Sequence, residues 1–180
     1  MTTRPRFGMT PPEPARQASL DGCAPAFTTK VGLLLDRMRS AGHDPIIFES
    51  RRTAERSAWL YGIGRDYDPD GRGIVTNILP DQHSWHFFGV AVDIISAAHE
   101  WDAPEAFWFD LMRFAEDLGL TSGDDWCRDG IPDEQQEKTR IDKPHVQWWC
   151  EGMHTSPSAH ATELFQRDGL PAVWAALGAA

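Results

Sequence analysis

The chain is short of cysteine, of long apolar runs and of positive charge, and each shortage removes a class of protein. Cys23, Cys127 and Cys150 are its only cysteines and show no CxxC spacing. A disulfide framework is therefore not expected, and zinc ligation by these thiols has no spacing to support it. No stretch approaches the roughly 20 apolar residues that span a bilayer. The opening MTTRPRFGMTPPEPARQ lacks the apolar run of a secretory signal. Synthesis in the cytoplasm is the expectation, so any work outside the cell needs another way out. Lysine and arginine total 17 against 27 acidic residues, a formal charge of −10. A dedicated nucleic-acid binder needs a basic face to displace counterions, so none is expected.

What is present fits a soluble globular domain, with 41% hydrophobic and 24% charged residues. A length of 180 residues allows one domain with a sizeable core, or a domain plus a short tail. Eight tryptophans are many for this length. They suit either a ligand groove or large core fillers, and the second role fits most of them.

Residues 1–26 are rich in Pro, Thr and Arg and lack periodicity, which predicts a flexible N-terminal arm before a domain over 27–180. Val31, Leu34, Leu35 and Met38 fall at helical spacing from Thr28, with Gly42 as a stop. Residues 44–50 read as a short strand. Thr53 is a helix N-cap, and a second helix follows it. Residues 65–82 form a long polar loop. A strand lies near 90–95, and Pro104 to Leu118 is an amphipathic helix ended by Gly119. Residues 127–140 look like a charged insertion. Residues 144–149 are a last core strand, and a helix over about 158–178 closes the chain. The pattern predicts a small α+β domain with a central antiparallel sheet flanked by helices.

Asp93 stands in the apolar run Val-Ala-Val-Asp-Ile-Ile, where a carboxylate is costly unless something pairs with it. A metal, a basic side chain or solvent at a strand end would serve. Ala91, on the same strand face, leaves space for a ligand. His86 lies seven residues earlier, and Phe88-Gly89 supplies a turn that brings both side chains to one point. His145 follows Asp142-Lys143-Pro144, where the proline keeps the chain extended. Two histidines, one aspartate and an open fourth position make the composition of a catalytic rather than a structural zinc site. Asp142, just outside it, suits a general base. With seven histidines in the chain, composition and spacing alone leave all three partners of Asp93 open.

Ser84-x-His86-x-x-Gly89-x-Ala91-x-Asp93, followed by Asp142-x-x-His145, resembles the zinc peptidases of the D-Ala-D-Ala carboxypeptidase and Hedgehog-like group. The Asp-x-x-His ending is most similar to the L-alanyl-D-glutamate peptidases of phage endolysins. Arg52-Thr53, Leu60-Tyr61, Gly64-Arg65 and Val75-Thr76-Asn77 extend the similarity, as do Gly119-Leu120, Gly123, Asp125 and Trp126. It covers residues 28–150. Ser50-Arg51 replaces the family's Gly-Tyr, Ser57 a glutamine and Asp124 a glycine, and the segment from Trp126 to Asp142 is longer.

The resemblance implies Zn²⁺ held by His86, Asp93 and His145. It implies Asp142 as the base that takes a proton from the attacking water and passes it to the leaving amine. Arg52 would bind substrate or steady the oxyanion, and Ser84 would bind the substrate backbone or support the turn. His83 is a rival base, a group supporting the ligands from outside, or a solvated loop residue. The implied activity is hydrolysis of a peptidoglycan stem-peptide bond, L-Ala–D-Glu, by a monomer released to the wall through a phage-made membrane lesion. A D,D- or L,D-carboxypeptidase or dipeptidase on the same scaffold is the alternative, and a zinc-containing binding module without activity is another.

Overall fold

The computed structural model describes residues 8–79, 83–132, 141–152 and 157–180. Chain order is α1 (Pro25–Ser40), β1 (Pro45–Glu49), α2 (Ala54–Gly62), β2 (Ala91–Ser96), α3 (Glu105–Asp117), β3 (Leu120–Gly123), β4 (Asp142–Trp148), α4 (Ala159–Asp168) and α5 (Leu170–Ala176). The strands form one antiparallel sheet in the order β1-β2-β4-β3. This is the α+β architecture that the pattern of the chain predicts.

Local chemistry accounts for the elements. Pro25 occupies the first turn of α1, where its missing N–H costs nothing. Phe27, Val31, Leu34, Leu35 and Met38 then fall on one stripe and are buried. Thr53 caps α2 by accepting from the Arg56 N–H at 3.1 Å. The continuous apolar run of β2 suits an inner strand covered on both faces: Ala91, Val92, Ile94 and Ile95 are all buried. Trp59, Trp85, Trp108 and Trp148 are buried core fillers.

Two expectations change. β3 carries Leu-Thr-Ser-Gly, too short and too polar to show strand alternation, yet all four residues are buried against β4. The closing helix is two helices, because Gly169 breaks it and Pro171 opens the next. Residues 8–24 have neither helix nor strand, but they lie along the domain. Trp59 Nε1 donates to the Pro11 carbonyl at 3.1 Å, and the Ser50 N–H donates to that of Gln17 at 2.8 Å. Residues 1–7 of the expected arm, 80–82 of the polar loop and 133–140 of the insertion lie outside the described residues.

Two glycines fix the chain where the site will stand. Gly89 has φ of +68°, and a Cβ there would come 2.9 Å from the Gly22 carbonyl oxygen. At Gly123 the β3–β4 register jumps, from Ser122 opposite Val146 to Gly123 opposite Asp142. A Cβ at Gly123 would lie 2.2 Å from the Asp142 carbonyl oxygen. Gly123→Ala is therefore expected to cost about 1–3 kcal/mol, as overpacking does. Urea denaturation checks this, and an unchanged midpoint would show that the strands part without cost.

Candidate metal centre

β2 and β4 pair with Asp93 directly opposite His145. Partnered residues on adjacent strands point to the same face, so the register alone brings a carboxylate and an imidazole together. His86 arrives from the turn over residues 84–89, where the Phe87 and Phe88 N–H groups both donate to the Ser84 carbonyl. Gly89 ends that turn and lets the chain enter β2. The three side chains expected as ligands thus converge.

Their geometry fits a tetrahedral ion. His86 Nε2 lies 3.2 Å from His145 Nδ1 and 3.3 Å from Asp93 Oδ1, and His145 Nδ1 lies 3.4 Å from Asp93 Oδ1. Bonds of roughly 2.0–2.1 Å at tetrahedral angles put ligand atoms about 3.3 Å apart. The remaining nitrogens are tied down. His86 Nδ1 donates to the Ser50 carbonyl at 2.8 Å, and His145 Nε2 donates to Gln147 Oε1 at 3.0 Å. Each of those bonds fixes a tautomer that turns the other nitrogen's lone pair toward the centre.

Charge completes the centre. Burial alone would raise the Asp93 carboxyl, but the two imidazoles outweigh it and hold it well below the usual range. Burial would lower His145, while its bond to Asp93 and the Asp142 charge raise it. An anionic set of this kind favours a cation.

Outside the three converging side chains, Arg52 donates through Nε and Nη2 to Glu49 Oε2 at 3.0 and 2.6 Å. Its Nη2 lies 3.8 Å from Asp93 Oδ2. Arg56 Nε donates to the other oxygen of Glu49 at 2.8 Å, and Arg56 Nη1 to Glu13 Oε1 at 2.8 Å. Glu49 is 2% exposed. Burial pushes its carboxyl up, but Arg52 and Arg56 overcome that and hold it below its ordinary value.

Asp142 opens β4 on the same cavity as His86, Asp93 and His145, and the residue as a whole is exposed. Loss of hydration in the cavity wall raises its carboxyl, and the Asp93 charge adds to this; the two histidines and Arg52 pull the other way. Ser84 supports the turn through its carbonyl. Its hydroxyl is buried, lines the cavity and has no partner among the described residues. His83 stacks on Phe87 with ring centroids 3.8 Å apart and meets Phe165 edge-on, so it belongs to an aromatic cluster and is not a solvated loop residue.

The cavity holds about 1530 Å³. Trp126 stands beside His145 at one end, with ring centroids 5.5 Å apart. The loop over 72–78 forms another wall. Arg65 holds that loop by donating to the Thr76 carbonyl at 3.0 Å and to Asn77 Oδ1 at 3.0 Å. Arg52, Leu60, Val75, Thr76 and Asn77 all line the cavity.

Several members of the site went unread in the sequence: Glu49, Arg56, Ser50 and Gln147. Glu49 carried a signal, a carboxylate ending a strand three and seven residues before two arginines. Ser50 acts through its backbone and left none. Gln147→Ala is expected to weaken zinc affinity by about 10- to 100-fold, the usual cost of losing a partner that orients a metal-binding histidine. A competition titration against a chromophoric chelator measures it, and an unchanged affinity would mean that Gln147 does not orient His145.

A second group, Asp125, Cys127 and Asp129, also brings ligand atoms within 4.8 Å of one another. Both oxygens of Asp125 already accept backbone N–H groups, from Arg128 at 2.7 Å and Gly130 at 2.7 Å. The carboxyl of neighbouring Glu116 is raised to about 8 by burial and by Asp125. This corner is organised as a turn.

No protein-family profile matches the sequence, and no curated protein does. Solved structures do resemble it. An L,D-carboxypeptidase, DacB from Streptococcus pneumonia, is 18% identical with a TM-score of 0.48, over 72% of this chain and 67% of that one. The vancomycin-resistance D,D-dipeptidase VanXYg, solved with a D-Ala-D-Ala phosphinate analogue, is 18% identical with a TM-score of 0.46, over 84% of this chain and 57% of that one. A vancomycin-resistance D,D-pentapeptidase, VanY, solved with Zn(II), is 16% identical with a TM-score of 0.48, over 89% of this chain and 90% of that one. No helix of the described residues is long and apolar enough to cross a membrane.

Proposed function

We propose that the protein is a zinc peptidase that hydrolyses a peptide bond of the peptidoglycan stem, the L-Ala–D-Glu bond. The observation that carries this is the triangle of ligand atoms 3.2–3.4 Å on a side, opening on a cavity that Asp142 also lines. A bound Zn²⁺ supplies Lewis acidity at a carbonyl oxygen and lowers the pKa of water toward about 7. Asp142 takes the proton of the attacking water and returns it to the leaving amine. Arg52, steadied by Glu49, gives the cavity a fixed positive charge near the ligands. The unpartnered Ser84 hydroxyl suits a hydrogen bond to the substrate backbone. A purely structural metal site needs neither an exposed base nor a cavity of this size, which weighs against a binding module. The choice of bond rests on the Asp142-x-x-His145 ending, with its endolysin resemblance, and with it goes action on the wall as a monomer after phage-assisted release.

Digestion of purified peptidoglycan by the zinc-loaded protein tests the proposal, with products identified by mass. Stem peptides that begin with D-Glu are the expected result. Release of terminal D-Ala alone would make the enzyme a carboxypeptidase. Bound zinc without any cleavage would leave a binding module.

A further inference from the structure

The cavity runs well past the metal ligands. Its wall continues along β2 from Asp93 through Ile95 to Ala97, and along β1 through Phe48 to Ile46. Trp101 stands at its rim with 47% of its surface exposed, and Ile46 with 43%. The Trp101 ring meets Phe48 edge-on, with centroids 4.6 Å apart and planes at 71°. The Arg16 guanidinium lies 4.2 Å from the Phe48 centroid.

The turn that carries Trp101 is built to hold it. The Asp44 carboxylate accepts from Ser96 Oγ at 2.7 Å and from the Ala98 N–H at 2.7 Å. Ser96 Oγ accepts in turn from the His99 N–H at 3.1 Å. The Glu100 N–H donates to the Ser96 carbonyl, and the Asp102 N–H to that of His99. Glu100 itself has φ of +50°, a left-handed conformation that a residue with a side chain rarely adopts. Backbone strain of this kind persists where surrounding bonds over-determine it, and it collects at functional sites. A single exposed aromatic needs no explanation. A half-exposed indole fixed on a strained, multiply bonded turn, continuous with the catalytic cavity, does.

We propose that this platform seats a sugar ring of the glycan strand that carries the stem peptide. The apolar face of the ring would stack on the Trp101 indole. Arg16 and Glu100, both in the cavity wall, would offer a donor and an acceptor to its hydroxyl and acetamido groups. This rests on the peptidase function proposed above and narrows it.

Phe48, which the Trp101 ring meets edge-on, sits at the bulge between Ile47, opposite Ile94, and Glu49, opposite Asp93. The platform therefore adjoins the strand position that carries Asp93, which suits a sugar close to the scissile bond, as beside the first stem residue.

Two measurements on the full zinc-loaded chain test this, each with wild type, Trp101→Phe and Trp101→Ala. The first compares kcat/KM on a disaccharide-linked stem peptide with that on the same peptide without sugar. Wild type is expected to favour the sugar-linked substrate by about tenfold, Trp101→Ala to lose that advantage, and Trp101→Phe to keep part of it. An equal loss on both substrates, or no loss on either, would overturn the subsite. The second follows binding of the peptide-free disaccharide by NMR line broadening, which needs no catalysis. Binding that disappears in Trp101→Ala, from a protein that cuts neither peptide, would keep the sugar subsite and end the peptidase function. Cleavage of both peptides with no disaccharide bound would do the reverse.

Discussion

Asp142→Asn is expected to lower stem-peptide cleavage by about 10²- to 10⁴-fold, the range that positioned proton transfer supplies, with one zinc ion still bound. The amide keeps the size of the carboxylate but cannot accept the water's proton. Asp142 lies outside the three atoms that converge on the centre, so the ligand triangle stays intact. His145→Ala removes one corner of that triangle and is expected to lose metal and activity together. Zinc per chain by elemental analysis, beside product masses, separates the two variants. A Asp142→Asn protein within tenfold of wild type would remove Asp142 from the chemistry, and one without zinc would make it a ligand.

Glu49→Ala is expected to destabilise the fold by about 3–5 kcal/mol, the cost of stripping a buried charge of its partner. The carboxylate is 2% exposed and receives three donors from two arginines. Arg56 would keep half-exposed Glu13, but Arg52 would be left with Asp93 at 3.8 Å. Because Glu49 titrates below its ordinary value of 4.5 in the folded chain, its stabilisation is fully present above that pH. It is lost as pH falls through the lower folded value. The variant should therefore show a weaker loss of stability on acidification than wild type, starting from a lower plateau. Chemical denaturation at pH 7 and pH 4 reads both effects. A drop under 1 kcal/mol at pH 7 would mean that the arginines find water instead.

Composition and spacing left the partner of Asp93 open, and the convergence of His86, Asp93 and His145 was expected from the resemblance of their two motifs. A carboxylate inside Val-Ala-Val-Asp-Ile-Ile must have a partner, and the structure supplies two imidazoles at 3.3 and 3.4 Å. The helices were legible wherever they bury one face, as α1 does. β3 was not, since Thr121 and Ser122 are buried by their neighbours and not by their own apolarity. The split between α4 and α5 turned on one glycine inside a helical pattern. The contacts of Ser50 with His86 and of Gln17 with Ser50 run through main-chain atoms, which every residue has, so no side-chain pattern marks them. Ala91 was expected to leave room for a ligand, but the cavity follows Asp93 and Ile95 along that face and does not reach it.

The turn that carries His86 is braced from the far end of the chain. Trp174 Nε1 donates to the Phe88 carbonyl at 2.7 Å, and Phe165 packs against Phe87 and Phe88. Trp148, at the end of β4, donates to the Leu177 carbonyl at 2.9 Å. A growing polypeptide emerges from its N-terminus, so these braces cannot close until residue 177 has left the ribosome. Nascent chains shorter than that would carry His86, Asp93 and His145 on an unsupported scaffold.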